Sequence, residues 1–287
     1  MDVAQICLVV DIASISSEVR GLEQSTYAQT WQKVLDTASL EPSIQTLQCL
    51  TLSVLCCTKH RDYKRLCLYM ERAISLYKNL FLHEDDKDEK HPKAAVENHK
   101  GILWTLFILD CFSGAANIRP MVLKYQDIEA IDPRKLDCPD EASTAPYLPR
   151  AAEILAQVLA EYPVSPGDRH SFSQRMEDLN SKLGKWYGRL PNRLELDQDM
   201  KSSHPALMTI TYYYILAYIH KLAFHFGKKD EHLRNISSFQ TSCEKILDLV
   251  GRLEKKSLSF PLCLNRNNLV YVCEFAKNIE IVPRNVP

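Results

Sequence analysis

Apolar side chains recur at steps of three and four residues along most of the chain, a spacing that predicts amphipathic helices. The most regular stripe runs from Phe172 to Leu190 by steps of four, three, four, three and four residues. Two other segments, 101–113 and 205–226, are apolar on almost every side, as in helices buried at the centre of a domain. The pattern therefore predicts an all-α fold of about nine helices packed around these two buried helices.

The first buried segment contains one charge. Ile102–Phe112 reads ILWTLFILDCF, and Asp110 is the charged residue within it. Because a buried carboxylate needs partners, we predict that Asp110 is at least half buried and bonded to Arg119 or to backbone amides of the following loop. Gly114 is expected to loosen the helix, and Arg119-Pro120 is expected to end it, since proline cannot continue a helix.

The chain is predicted to be a single large domain over its full length of 287 residues. A segment with four prolines, 133–149, is expected to be a linker between helical halves of about 1–132 and 150–287. In the second half, Ser171 and Gln174 fit a capping box at the start of the helix that carries the long stripe.

Composition excludes several classes of partner. With 35 basic and 36 acidic residues the net charge is −1, so no overall field attracts nucleic acid or an anionic membrane. The start is acidic and Asp11 interrupts its apolar run, which argues against a signal peptide. The apolar stretch 206–226 contains His220, Lys221 and His225, so we predict no transmembrane helix and a soluble intracellular protein.

Ten cysteines are scattered along the chain without a Cys-x-x-Cys pair, which makes a structural zinc site unlikely to form. Most lie inside apolar periodic stretches and are expected to be small buried side chains in a reducing compartment. His220 and His225 are five residues apart and share no helix face, so they are poor joint metal ligands.

Two charged stretches are candidates for chemistry. Asp85, Asp86 and Glu89 could chelate magnesium diphosphate, as paired carboxylates do in helical prenyl-diphosphate enzymes. Such a site needs a second acidic motif, which the sequence does not contain, so we predict an exposed mobile loop without magnesium. The basic stretch 59–65 fits a solvated turn between helices, with localisation or phosphate contact as the lesser alternative.

No sequence motif pairs a nucleophile with a base, and no phosphate-binding glycine loop or dinucleotide fingerprint occurs. The sequence therefore predicts no catalytic, cofactor-binding or metal-binding residue, and a protein that is not an enzyme.

Segment 97–133 resembles the central motif of the fungal-specific transcription factor domain, the regulatory middle region of fungal zinc binuclear cluster regulators. In that pattern an apolar helix with arginine and tryptophan leads to Asp, then Gly-Arg-Pro, then an acidic tail. A Leu, Trp, Leu-Pro pattern in the second half is also similar. The matching positions, for which the resemblance implies a structural role, are Lys100, Trp104, Asp110, Arg119, Pro120, Trp186 and Pro191.

The resemblance implies an all-α regulatory domain that responds to a small-molecule effector or contacts protein partners. It also implies nuclear location and possible homodimerisation. In this family zinc and DNA contact belong to an N-terminal cluster of six cysteines, which this chain lacks; whether such a cluster precedes the chain is open. The alternatives are the prenyl-diphosphate-type enzyme using Asp85, Asp86 and Glu89, and a helical scaffold for protein contacts.

Overall fold

The computed structural model describes residues 2–16, 26–37, 41–60, 62–81, 93–117, 119–123, 147–161, 169–191, 203–256 and 266–277. Regular structure in these ranges is entirely helical, which confirms the all-α prediction. A short 3-10 helix, Lys229–Glu231, precedes the ninth of ten α-helices. The α-helices are α1 (Asp2–Ser16), α2 (Thr26–Thr37), α3 (Ile44–His60), α4 (Tyr63–Phe81), α5 (Lys93–Asn117), α6 (Leu148–Ala160), α7 (Arg169–Tyr187), α8 (Ser203–Phe226), α9 (His232–Lys255) and α10 (Arg266–Lys277).

The chain divides into two compact units, Met1–Asp137 and Cys138–Pro287. The boundary falls inside the proline-rich segment 133–149. The end of that segment is not a linker, because Leu148 and Pro149 form the first turn of α6. Proline is compatible with this position, where its missing N–H is not needed for a helical hydrogen bond.

The first unit is organised around α3, which packs against α1, α4 and α5. α2 lies against α1 and extends the same core. The apolar pattern along α3 explains this position, since the helix buries residues on several sides. The largest fully buried side chains of this unit are Trp31, Tyr69, Phe107, Leu8, Leu35, Leu47, Leu50, Leu66 and Met70.

The second unit is organised around α8, which packs against α6, α7 and α9, while α10 packs on α9. The predicted stripe of α7 forms one side of this core. All six of its members are buried, which confirms the prediction: Phe172, Met176, Leu179, Leu183, Trp186 and Leu190. Phe172 also meets the Phe226 ring of α8 at a centroid distance of 6.1 Å.

α5 continues through Gly114 to Asn117, two residues before Arg119-Pro120, where the sequence predicts its end. Two local predictions are wrong. The stretch 59–65 is not one turn, because α3 extends to His60 and α4 begins at Tyr63. Ser171 is not a helix cap, since α7 begins earlier, at Arg169; its hydroxyl instead accepts a hydrogen bond from Arg175 Nη1 at 2.8 Å.

Gly227, directly after α8, occupies a position with no room for a larger residue. A Cβ there would overlap the carbonyl oxygen of Ala223 and would lie 3.1 Å from Ser173 Oγ. The Ser173 hydroxyl also accepts a hydrogen bond from the backbone amide of Lys228 at 3.1 Å. We therefore expect Gly227→Ala to lower the free energy of unfolding by about 1–3 kcal/mol.

The matched control is Gly251→Ala, in the interior of α9, where an added Cβ meets nothing within 4 Å. Alanine there should raise the free energy of unfolding by about 0.5–1 kcal/mol, because glycine loses more conformational freedom when a helix forms. Urea unfolding followed by far-ultraviolet circular dichroism measures both changes. A loss in both variants, or in neither, would contradict the steric argument.

Candidate functional site

The end of α5 and residues 119–123 form a buried corner around one carboxylate, termed the Asp110 corner. Asp110 is fully buried. The guanidinium Nη2 of Arg119 lies 2.7 Å from its Oδ1, and the amides of Val122 and Leu123 donate to its Oδ2 at 2.7 and 2.8 Å. The prediction that Asp110 is at least half buried and bonded to Arg119 or to backbone amides of the following loop is confirmed, and both kinds of partner are present.

Arg119 connects the loop to the last turns of α5 by several bonds. Its Nη2 donates to Ser113 Oγ at 2.6 Å and its Nη1 to the carbonyl of Pro120 at 3.0 Å. Its backbone amide donates to the carbonyl of Gly114 at 3.1 Å. A cation at a helix carboxyl end, where main-chain carbonyls lack helical partners, is also favourable for the helix dipole.

Two kinds of effect act on the pKa of Asp110 in opposite directions. Burial raises the pKa of the Asp110 carboxyl, while the Arg119 charge and the two amides act to lower it. Successive backbone amides pointing at one oxygen form an anion-binding arrangement. Oδ2 accepts both amide hydrogen bonds, and Oδ1 faces the Arg119 guanidinium. These contacts hold the loop against α5.

Of the other motif positions in the first unit, Lys100 and Trp104 lie outside this corner, whereas Pro120 belongs to it. Lys100 lies ten residues before Asp110 on α5, a separation of about 15 Å along a helix. Trp104 is buried against Phe107, with ring centroids 5.6 Å apart. Pro120 is exposed and takes part only through its carbonyl group.

In the second unit, Trp186 is buried and its indole Nε1 donates to the carbonyl of Tyr147 at 3.1 Å. This bond connects the end of α7 to the residue before α6. Trp186 is thus a core residue rather than a platform for a ligand. Pro191 is partly buried and follows Leu190, the last member of the α7 stripe.

Comparison with known proteins places the chain in a family. The family model for the Fungal specific transcription factor domain matches residues 8–238. The chain belongs to this family. The Asp110 corner, on which the sequence resemblance depends, lies in the middle of the matched region.

A relative of this transcription factor domain is Transcriptional activator protein acu-15 of Neurospora crassa. The two are 33% identical over 298 aligned residues, which cover 95% of this chain. The chain spans about a third of the length of that relative, 32%. No solved structure matches the chain.

This member of the family also contains a second buried carboxylate, which the sequence analysis did not identify as a site. Asp11 of α1 is 2% exposed. Trp31 Nε1 of α2 donates to its Oδ2 at 2.9 Å, and His60 Nε2 of α3 lies 3.1 Å from the same oxygen. Asp11 also raises the pKa of the Cys56 thiol of α3, which places that thiol beside the carboxylate. These four residues are termed the Asp11 cluster.

Cysteine, histidine and aspartate are also the residue types of some nucleophilic catalysts. Here burial and the neighbouring Asp11 raise the pKa of the Cys56 thiol, whereas a nucleophilic cysteine needs a lowered one. The one sequence signal for the cluster was the interruption of the apolar run of α1 by Asp11.

Two side chains of the basic stretch 59–65 are paired with acids of their own unit. Arg65 contacts Asp62 at 2.8 Å and Asp36 at 3.3 Å, and His60 contacts Asp11. Side chains neutralised in this way are poor contacts for phosphate. The geometry favours the prediction of a solvated surface over that of a phosphate contact.

Several predictions concern residues outside the described ranges, among them Asp85, Asp86 and Glu89 and the acidic tail after the corner.

Within the described ranges, no group of three or more His, Cys, Asp or Glu side chains could hold a metal ion. No helix of the described part of the chain is long and apolar enough to cross a membrane. His220 bonds to Asn235 at 3.0 Å, and His225 is exposed.

Proposed function

We propose that this chain is the regulatory region of a fungal transcription regulator. It acts in transcription control through protein partners or a bound small-molecule effector, without catalysis and without a cofactor of its own. The observation that carries the proposal is the family match over residues 8–238. Nuclear location, possible homodimerisation and contact with DNA through a zinc cluster outside these residues are parts of the same proposal.

The geometry of the buried charged groups supports a role without catalysis. Asp110 is engaged by Arg119 and by two amides, and Asp11 by Trp31 and His60. Catalytic carboxylates need a free position for a reacting group, and here each carboxylate connects helices or loops. The enzyme alternative depends on Asp85, Asp86 and Glu89 and has no support among the described residues.

A reporter assay tests the proposed role directly. The full chain is fused to an unrelated DNA-binding module and directed to a reporter gene in a fungal cell. We expect reporter transcription to change severalfold, upward or downward, relative to the module alone. Unchanged transcription from a stably expressed fusion would overturn the proposal.

The matched control for that assay is the same fusion carrying Gly251→Ala, which fills open space in α9. This variant should behave as the unaltered fusion does. The comparison separates a transcriptional effect of the folded chain from an effect of expression level.

By itself, the chain is expected to bind duplex DNA only non-specifically, with a dissociation constant of about 10⁻⁴ M or weaker at physiological salt. Sequence-specific recognition needs an element that reads base edges as well as phosphate contacts. The charge is balanced, with 35 basic and 36 acidic residues, and Arg65 and His60 of the basic stretch contact acids. A mobility-shift assay measures this, and a sequence-dependent shift at sub-micromolar protein would contradict it.

A further inference from the structure

The Asp11 cluster contains a titratable contact between two helices. α1 packs against both α2 and α3, and one buried carboxylate of α1 joins it to polar atoms of both. We propose that the Asp11–His60 contact holds α1 against α3 in a proton-dependent manner, so that α1 loosens as the pH rises. This device goes beyond the proposed function in transcription.

The two partners differ in their access to water. Asp11 is almost completely buried, whereas the side chain of His60 is 25% exposed at the end of α3. The imidazole can therefore exchange its proton with solvent while the carboxylate stays enclosed. Its Nε2 lies within 3.3 Å of both carboxylate oxygens. Protonation of the imidazole therefore places a positive charge directly beside the Asp11 carboxylate.

The charged groups around the imidazole favour its protonated form. Asp11 faces it from α1, and Asp62 faces it from the turn that leads into α4. Arg65 of α4 is held by Asp62 and by Asp36 of α2, which reduces its effect on the ring. α2 contributes the neutral indole of Trp31 to the cluster, and α3 itself contributes the thiol of Cys56, whose pKa is raised.

The direction of the pH effect follows from these contacts. The hydrogen bond to Asp11 raises the pKa of His60 above its ordinary value, against the opposing effect of burial, and Asp62 adds to the rise. A group with a raised folded-state pKa contributes stability that is fully present below its unfolded-state value of about 6.5. That contribution is lost as the pH rises through the folded-state pKa.

Hydrogen exchange of the α1 amides tests the device in the whole chain. After correction for intrinsic exchange rates, protection of α1 should fall roughly tenfold between pH 5.5 and 8.5, because charge-assisted hydrogen bonds are about twice as strong as neutral ones. His60→Gln, which keeps a donor but cannot be charged, should flatten this dependence. The same fall in His60→Gln, or no fall in the unaltered chain, would overturn the proposal.

His225→Gln is the matched control, since His225 is an exposed histidine of the second unit and its replacement should leave the pH dependence of α1 intact. A second measurement needs no variant at position 60. An NMR titration of the unaltered chain should place the pKa of His60 above that of the ordinary imidazole, 6.5. A His60 that titrates at or below this value would refute the proposal even if His60→Gln fails to fold.

Discussion

Replacing Asp110 by alanine is expected to lower the free energy of unfolding by about 3–5 kcal/mol. The variant removes the partner of Arg119, whose side chain is only 14% exposed and lies 2.7 Å from the carboxylate. It also leaves the amides of Val122 and Leu123 without the acceptor that they share. A largely buried charge and two amide donors, one of them buried and one partly buried, would then lack partners, and each is costly in a water-poor environment.

Urea unfolding followed by circular dichroism measures this loss. Glu71→Ala is the control, because Glu71 is an exposed carboxylate on α4 of the same unit, and its removal should change stability by less than about 0.5 kcal/mol. An unchanged stability of Asp110→Ala would show that the corner has no structural role.

A double-mutant cycle separates the ion pair from the amide bonds. Arg119→Met leaves Asp110 with its two amide donors and should cost less than Asp110→Ala. The combined variant should be more stable than the sum of the two losses predicts, since neither charge is then left alone. Simple additivity would mean that the contact at 2.7 Å contributes nothing to stability.

Replacing Asp11 by alanine is expected to have the second largest effect, a loss of about 3 kcal/mol. The indole of Trp31, which is fully buried, would lose its acceptor, at a cost of about 1–3 kcal/mol for an unsatisfied buried donor. The bond to His60 would be lost as well. Both losses weaken the attachment of α1 to its neighbours.

Comparing Asp11→Asn with Asp11→Ala separates the contribution of the Trp31 hydrogen bond from that of the charge contact with His60. Asp11→Asn keeps the shape and an acceptor for Trp31 but removes the negative charge, so its loss should be smaller than that of Asp11→Ala at pH 6. At pH 9 His60 is less protonated than at pH 6, so the difference between the original chain and Asp11→Asn should shrink. Equal losses at the two pH values would contradict the assignment of charge to the His60 contact.

Asp110 could be identified from the sequence because its signal is local. It is the single charge in an apolar run, and Arg119 follows within one loop. The two amides that complete the corner could not be assigned, since every residue except proline offers an amide N–H and only the path of the loop selects those of Val122 and Leu123.

The Asp11 cluster could not be predicted in the same way. Its members come from three helices, and two of them, Trp31 and His60, are separated by 20 and 49 residues from Asp11. No periodicity relates such positions. The sequence pattern also misplaces the start of α7. Ser171 and Gln174 fit a capping box, but the helix begins at Arg169, so Ser171 already lies within its first turn.

The sequence by itself determined the helical class, the buried stripe of α7 and the need of Asp110 for partners. Each of these properties depends on the apolar repeat of one helix or on the composition of one loop. Residues that are close together in the sequence determine both the repeat and the loop. Only the tertiary structure decided which donors surround each buried carboxylate and which basic residues are neutralised. Those contacts depend on how separate helices pack, because packing alone brings Asp11, Trp31 and His60 within hydrogen-bonding distance.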